Sequence, residues 1–168
     1  DLKGTKFVEG YDFVNKDGHA NDDHGHGTHV AGTISQATNN GEGGAGVAFE
    51  ASLMPVKVLD HFGSGTSADI ADAIRWAADH GARIINLSLG TNNTFAGVPT
   101  DISLAVNYAW SKGALIVAAA GNSGTASLDY PGGNFVSGLS SASPNVTLRS
   151  VRVDDGYQHG FTLAALAG

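Results

Sequence analysis

Residues 67–90 read SADIADAIRWAADHGARIINLSLG and hold two periodicities back to back. Ile70, Ala73, Ile74 and Ala77 fall at i, i+3, i+4 and i+7, the single apolar stripe of an α-helix. Ser67 is the expected N-cap and Gly81 the expected stop. The run RIINLSL at 83–89 is short, β-branched and without clean polar alternation, as in a strand buried on both faces. The pair then repeats. TDISLAVNYAWSKG at 100–113 places Ile102, Ala105, Val106 and Ala109 on one face, with Thr100 or Asp101 as cap and Gly113 as end, and ALIVAAA follows at 114–120.

Upstream, SLMPVKVL at 52–59 reads as one strand, KFVEGYDFV at 6–14 as another strand or an extended entry, and HVAGTISQAT at 29–38 as part of a third helix ending at Asn39-Asn40-Gly41. Helices alternating with buried strands predict an α/β fold, a three-layer sandwich with a mostly parallel sheet. Ligands in such folds gather at the carboxyl ends of strands, which singles out NLSLG at 86–90 and AAAGNSG at 118–124. Beyond DYPGGNF at 129–135 the chain turns rich in Ser and Gly, with a strand expected at NVTLRSVRV (145–153) and a turn at DDG (154–156).

A length of 168 residues fits one domain. The formal charge of −7 argues against nucleic acid or an anionic membrane as partner, because phosphate binding needs clustered Lys and Arg. Acidic residues in excess suit hard cations instead. There is no cysteine, which excludes disulfides and thiolate chemistry. The polar opening DLKGTK is not a signal peptide, and ALIVAAA is too short to span a bilayer.

The densest chemistry lies in HGHGTHVAGTI at 24–34. Three readings compete. A zinc site would use His26 and His29, with His24 added, yet metal-binding helices favour i, i+4 and no further ligand cluster is visible. A structural reading makes this a helix start with one histidine hydrogen-bonded in the core. A catalytic reading places a proton-carrying His at a helix start, flanked by glycines that let backbone and substrate approach.

HGHGTHVAGTI resembles the histidine motif of the subtilisin-like serine proteases, the thermitase type above all. The resemblance runs on through GVAFEASLMPVKVLDHFGSGTSADIADAI, INLSLG, AVNYAWSKG and VAAAGNSG in the family's order. It is strong over 1–132 and weak over 133–168, so residues 1–168 resemble part of one peptidase domain. It implies an incomplete subtilisin-like fold with His26 as general base and Asn122 as the side chain of an oxyanion hole. His29, inside the helix, is expected to pack and hydrogen-bond. Ser88, Leu89 and Gly90 resemble the strand lining the primary specificity pocket, and Gly63, Ser64 and Gly65 the opposite strand. A polypeptide substrate would lie extended between the two; alone, each would read as an ordinary loop.

Two loops are candidates for calcium. In YDFVNKDGHANDD (11–23), Asp12, Asn15, Asp17 and Asn21 place oxygen ligands at short spacings around a glycine turn, as hard cations require. The thermitase type carries calcium in this loop. TNNGEGGAGVA (38–48) resembles the family's strong calcium loop, which implies ligands from Asn40, from the carbonyls of Thr38, Glu42 and Gly44, and from the Asp1 carboxylate. A solvated acidic turn is the plain alternative for each.

Two family motifs are missing from the 168 residues: a D-[ST]-G aspartate and a G-T-S-M-A-x-P serine. The resemblance places the start of the chain just after the aspartate. GTSA at 65–68 lacks the Ala-x-Pro continuation, and Asp22 and Asp23 fall in the presumed calcium loop. What is implied is part of a secreted serine endopeptidase, inactive by itself and open to self-association or to a complementing fragment. Two alternatives are a non-catalytic pseudo-protease that binds peptide or calcium, and one half of a split enzyme.

Overall fold

The computed structural model describes residues 2–90 and 100–119. Among the described residues nine elements follow one another: β1 (Lys6–Phe7), β2 (Tyr11–Asp12), α1 (His26–Ser35), β3 (Ser52–Leu53), β4 (Val56–Lys57), α2 (Ser67–Asp79), β5 (Ile84–Leu87), α3 (Thr100–Ser111) and β6 (Leu115–Ala118). The fold is α/β, and among the described residues the strand ladders are all parallel: β1 with β3, β2 with β4, and β5 with β6. β5–α3–β6 is a parallel pair joined through a helix, the connection parallel strands demand. Among the described residues, no helix is long and apolar enough to cross a membrane.

The apolar stripes foreseen for 67–79 and 100–111 are the buried faces. Ile74, Ile102, Val106 and Ala105 are sealed from solvent, and they pack with Ile85 and Leu87 of β5 and Ile116 of β6 into one core. Small Ala77 and Ala109 sit in that core, so the two helices approach closely. Both helices end alike. Gly81 and Gly113, each at φ 86°, donate back to Ala78 and Trp110, and the next residues, Ala82 and Ala114, reach Ala77 and Ala109. This double closure requires a left-handed residue, hence glycine. At the start of α2 the cap is Thr66 rather than Ser67: its hydroxyl accepts the Asp69 N–H.

The single strand expected at 52–59 is broken into β3 and β4. Pro55 has no N–H to give to a ladder, though its carbonyl still accepts from Tyr11 N–H at 3.1 Å. The facing segment breaks in step at Gly10. Val8 donates to Leu53 O and Phe13 to Lys57 O on either side of the gap, so two short ladders form one interrupted pairing. Tyr11, Phe13 and Trp76 then lock this pairing to α2, with ring centroids 4.8–6.3 Å apart. Lys16 adds an ion pair to Asp69 at the start of α2.

The close approach at the gap is testable. A Cβ on Gly10 would stand 2.2 Å from the Pro55 carbonyl oxygen and 2.6 Å from its ring. Gly10→Ala is expected to lower unfolding stability by about 1–3 kcal/mol, the usual cost of overpacking. An unchanged denaturant midpoint would show that the two segments part freely.

Candidate active site

Helix α1 begins at His26, and its N-cap position, Gly25, has φ 99° and no side chain to offer. The four leading N–H groups of a helix need acceptors from elsewhere. Asp22 supplies one from three residues upstream. Its Oδ2 accepts the Thr28 N–H at 2.7 Å, and its Oδ1 accepts the N–H groups of His24 at 3.0 Å and Gly25 at 2.8 Å. Partial burial by itself would raise the pKa of this carboxyl. The Thr28 hydroxyl and the three amides outweigh that and hold it far below the usual carboxylate range.

Its neighbour Asp23 pairs at 2.6 Å with Nζ of Lys57. The Lys57 side chain is nearly buried and also donates to the Leu59 carbonyl at 2.7 Å. The loop before α1 is thus tied at Asp22 to the helix and at Asp23 to β4.

This brackets the His26 ring. Its Nε2 lies 2.7 Å from the carbonyl oxygen of Ser88, 62 residues away and one residue past the end of β5. A carbonyl only accepts, so the ring places its proton on Nε2 in this contact. The imidazole is solvent-exposed, with the His24 ring 6.4 Å away. His29 is exposed too, contrary to the expectation that it packs. It lies about 140° around α1 from buried Ile34, at 100° per residue, so its side chain faces away from the core.

His26, His24, Gly63, Ser88, Leu89 and Gly90 share one cavity of about 720 Å³. Its walls are the 53–60 and 84–90 segments, with α1 and α2 closing the sides. Asn86, on β5, lines it and donates to the Ser88 hydroxyl at 2.6 Å, while its Oδ1 is buried without a hydrogen-bond partner among the described residues. Ser88–Gly90 lies beyond β5, outside any strand. Gly63–Gly65 is likewise not a strand. It belongs to a turn organised by Asp60, whose carboxylate accepts the N–H groups of Phe62 and Ser64. Those bonds, the Ser64 amide first, keep the Asp60 carboxyl below its ordinary pKa. Gly65 is pressed against the chain, since a Cβ there would meet the Val58 carbonyl oxygen at 2.1 Å.

The expected calcium ligands separate into two cases. In the first loop both Asp12 oxygens are already engaged, by the Val14 and Asn15 amides and the Asn15 side chain. Asp17 turns to the His19 N–H, and Asn21 lines the cavity instead of joining them. No group of three or more acidic or histidine side chains that could hold a metal occurs among the described residues. In the second loop, left-handed residues at Asn39, Gly41 and Gly43 curl the backbone. Asn40 Oδ1 accepts the Glu42 N–H at 3.1 Å, the Thr38 hydroxyl turns to the Gln36 carbonyl, and Gly44 lies against the Gln36 side chain. Asn40 and the loop carbonyls are neutral oxygen donors, the class that calcium takes. Asp1 and Asn122 lie outside the described residues, as does the chain from 120 onward.

The sequence pattern places Asp22 in the presumed calcium loop, whereas the structure makes it the cap of α1. The signal was there: an acidic residue just ahead of a glycine-rich helix start. Asn86 and Lys57 carried no such signal.

Residues 1–135 match the model of the subtilase family. The chain belongs to the subtilase family. Thermitase from Thermoactinomyces vulgaris is 49% identical over 131 residues, covering 78% of this chain and 45% of that protein. Subtilisin Savinase from Lederbergia lenta is 48% identical over 122 residues, covering 73% and 44%. The chain therefore spans less than half the length of these relatives. Among solved structures, Sphericase superposes with a TM-score of 0.72 at 37% identity, over 99% of this chain and 53% of its own. A cold-adapted subtilisin-like serine proteinase superposes with a TM-score of 0.63 at 35% identity, over 79% and 45%.

The Asp22 geometry in this subtilase has a pH signature. Its carboxyl is more acidic folded than unfolded, so its stabilisation is complete above the ordinary value of 3.8. It drains away as pH falls from there toward the folded-state value. Asp22→Asn is expected to cost about 1 kcal/mol at neutral pH, as loss of a cap does, and to flatten the acid limb of stability below about pH 4. Parallel acid limbs for the two proteins, by denaturant melts at stepped pH, would contradict this.

Proposed function

We propose that this subtilase chain is the part of a serine endopeptidase that carries the general base and the substrate-binding segments. One observation carries the reading: His26 Nε2 stands at the carboxyl end of β5, against Ser88 O at the mouth of a cavity. That is where α/β folds do chemistry. In the proposed reaction Nε2 takes the proton of a nucleophilic hydroxyl and returns it to the leaving amine. To accept, the ring must let go of the Ser88 carbonyl, which then becomes free for an N–H of an extended polypeptide substrate. Substrate docking and release of the base are thereby linked through one oxygen atom. Asn122 is assigned the oxyanion donor, and Gly63–Gly65 with Ser88–Gly90 the two edges that hold the peptide.

The nucleophile and the carboxylate that orients His26 belong, in this reading, to residues outside the 168. Neither motif occurs in the sequence, and the chain by itself is inactive. A complementing segment would enter the cavity and offer a donor to Asn86 Oδ1, which has no partner among the described residues. The protein is secreted, as its subtilase kinship suggests. Calcium is assigned to the second loop, held by Asn40 Oδ1 and the carbonyls of Thr38, Glu42 and Gly44, with Asp1 completing it. The ion would supply a cross-link of a tightly curled loop and no chemistry.

His26→Ala in the protein that carries this chain is expected to lower kcat on a peptide substrate by about 10⁶, a magnitude borrowed from a subtilisin. Undiminished hydrolysis would remove His26 as the base. Excess chelator is expected to lower the melting temperature, because an ion bound only by the folded state stabilises it by mass action. An unchanged melt would remove calcium from the account.

A further inference from the structure

We propose that Asp22 is a positioning residue for His26, fixing the ring through the backbone on both sides of it. This rests on the reading of His26 as the base. The carboxylate collects N–H groups from residues 24 and 25, just before His26, and from residue 28, just after it. Three charge-assisted hydrogen bonds from one carboxylate to amides on both sides of it restrain the His26 Cα. The N-cap glycine has no side chain to cap with and would otherwise let the chain pivot, since φ 99° is a conformation glycine enters freely. A negative charge at a helix start is also favoured by the helix dipole.

The other end of the lever is fixed as well. Asp23 is pinned to Lys57, whose nearly buried side chain is held by the Leu59 carbonyl. The cavity wall and the base are therefore referenced to each other through two adjacent aspartates. Gly27 completes the arrangement: a Cβ there would lie 3.6 Å from Asp22 Oδ2, so the carboxylate packs directly beneath the first turn of α1. Asp22 does not act on the imidazole itself. Both of its oxygens are engaged by the loop and helix donors.

The experiment compares Asp22→Ala and Asp22→Asn with the parent, in the protein that carries this chain, well below the melting temperature of each. Asp22→Ala is expected to lower kcat about 10²-fold with KM little changed, the scale of a misplacement near 1 Å. Asp22→Asn, which keeps one acceptor oxygen for His24 and Gly25, is expected to recover part of that loss. Nitrogen NMR of the His26 imidazole is expected to show one tautomer in the parent and averaging between two in Asp22→Ala. Melts that fall with kcat and tautomer unchanged would overturn the inference, leaving Asp22 a plain stabiliser. If Asp22→Ala does not fold, the kinetics and ring signature of Asp22→Asn decide by the same criteria. Hydrolysis that survives His26→Ala would instead overturn the assignment of the base, which separates the two failures.

Discussion

The position of residue 88 depends on the burial of one apolar face. β5 is held in register by β6, from Ile84 opposite Leu115 to Leu87 opposite Ala118, and both strands sit under the sealed stripes of α2 and α3. Truncating a side chain such as Ile74 or Ile102 in that packing would cost about 2–5 kcal/mol. With the ladder fixed, the chain leaves β5 at a set point, and the Ser88 carbonyl emerges where His26 can reach it. The site thus inherits its geometry from a core that contains none of its chemistry.

The second support is electrostatic and local. Three aspartates before α1 and around the cavity, Asp22, Asp23 and Asp60, bind backbone amides and one lysine. Asp22 caps α1, Asp23 meets Lys57, and Asp60 closes the turn at Gly63. The chain is acidic overall, and much of that acidity near the site is structural. In the loop at 11–23 the carboxylate of buried Asp12 likewise accepts from the Val14 and Asn15 amides.

Much of the scaffold was legible in the sequence, because helix periodicity and glycine stops report local physics. The stripes of α2 and α3 and the stops at Gly81 and Gly113 stand where the pattern put them. The split of the 52–59 strand was less legible, since the interruption is shared between Pro55 and a glycine 45 residues away that must lie against its carbonyl. The site divided the same way. His26, Gly63, Ser88, Leu89 and Gly90 are brought to one cavity, and their motifs are contiguous stretches. The placement of Asn86, whose Oδ1 is buried without a partner among the described residues, depends on packing between distant segments, which no local pattern encodes.

We propose that His26 is the base of this subtilase and that its nucleophile is not among the 168 residues. Labelling with a fluorophosphonate probe, with the adduct mapped by mass spectrometry, tests it most directly. The account predicts no adduct on the 168-residue chain alone, an adduct on a serine outside these residues in the whole protein, and its loss in His26→Ala. An adduct on any serine within the 168 residues would contradict it.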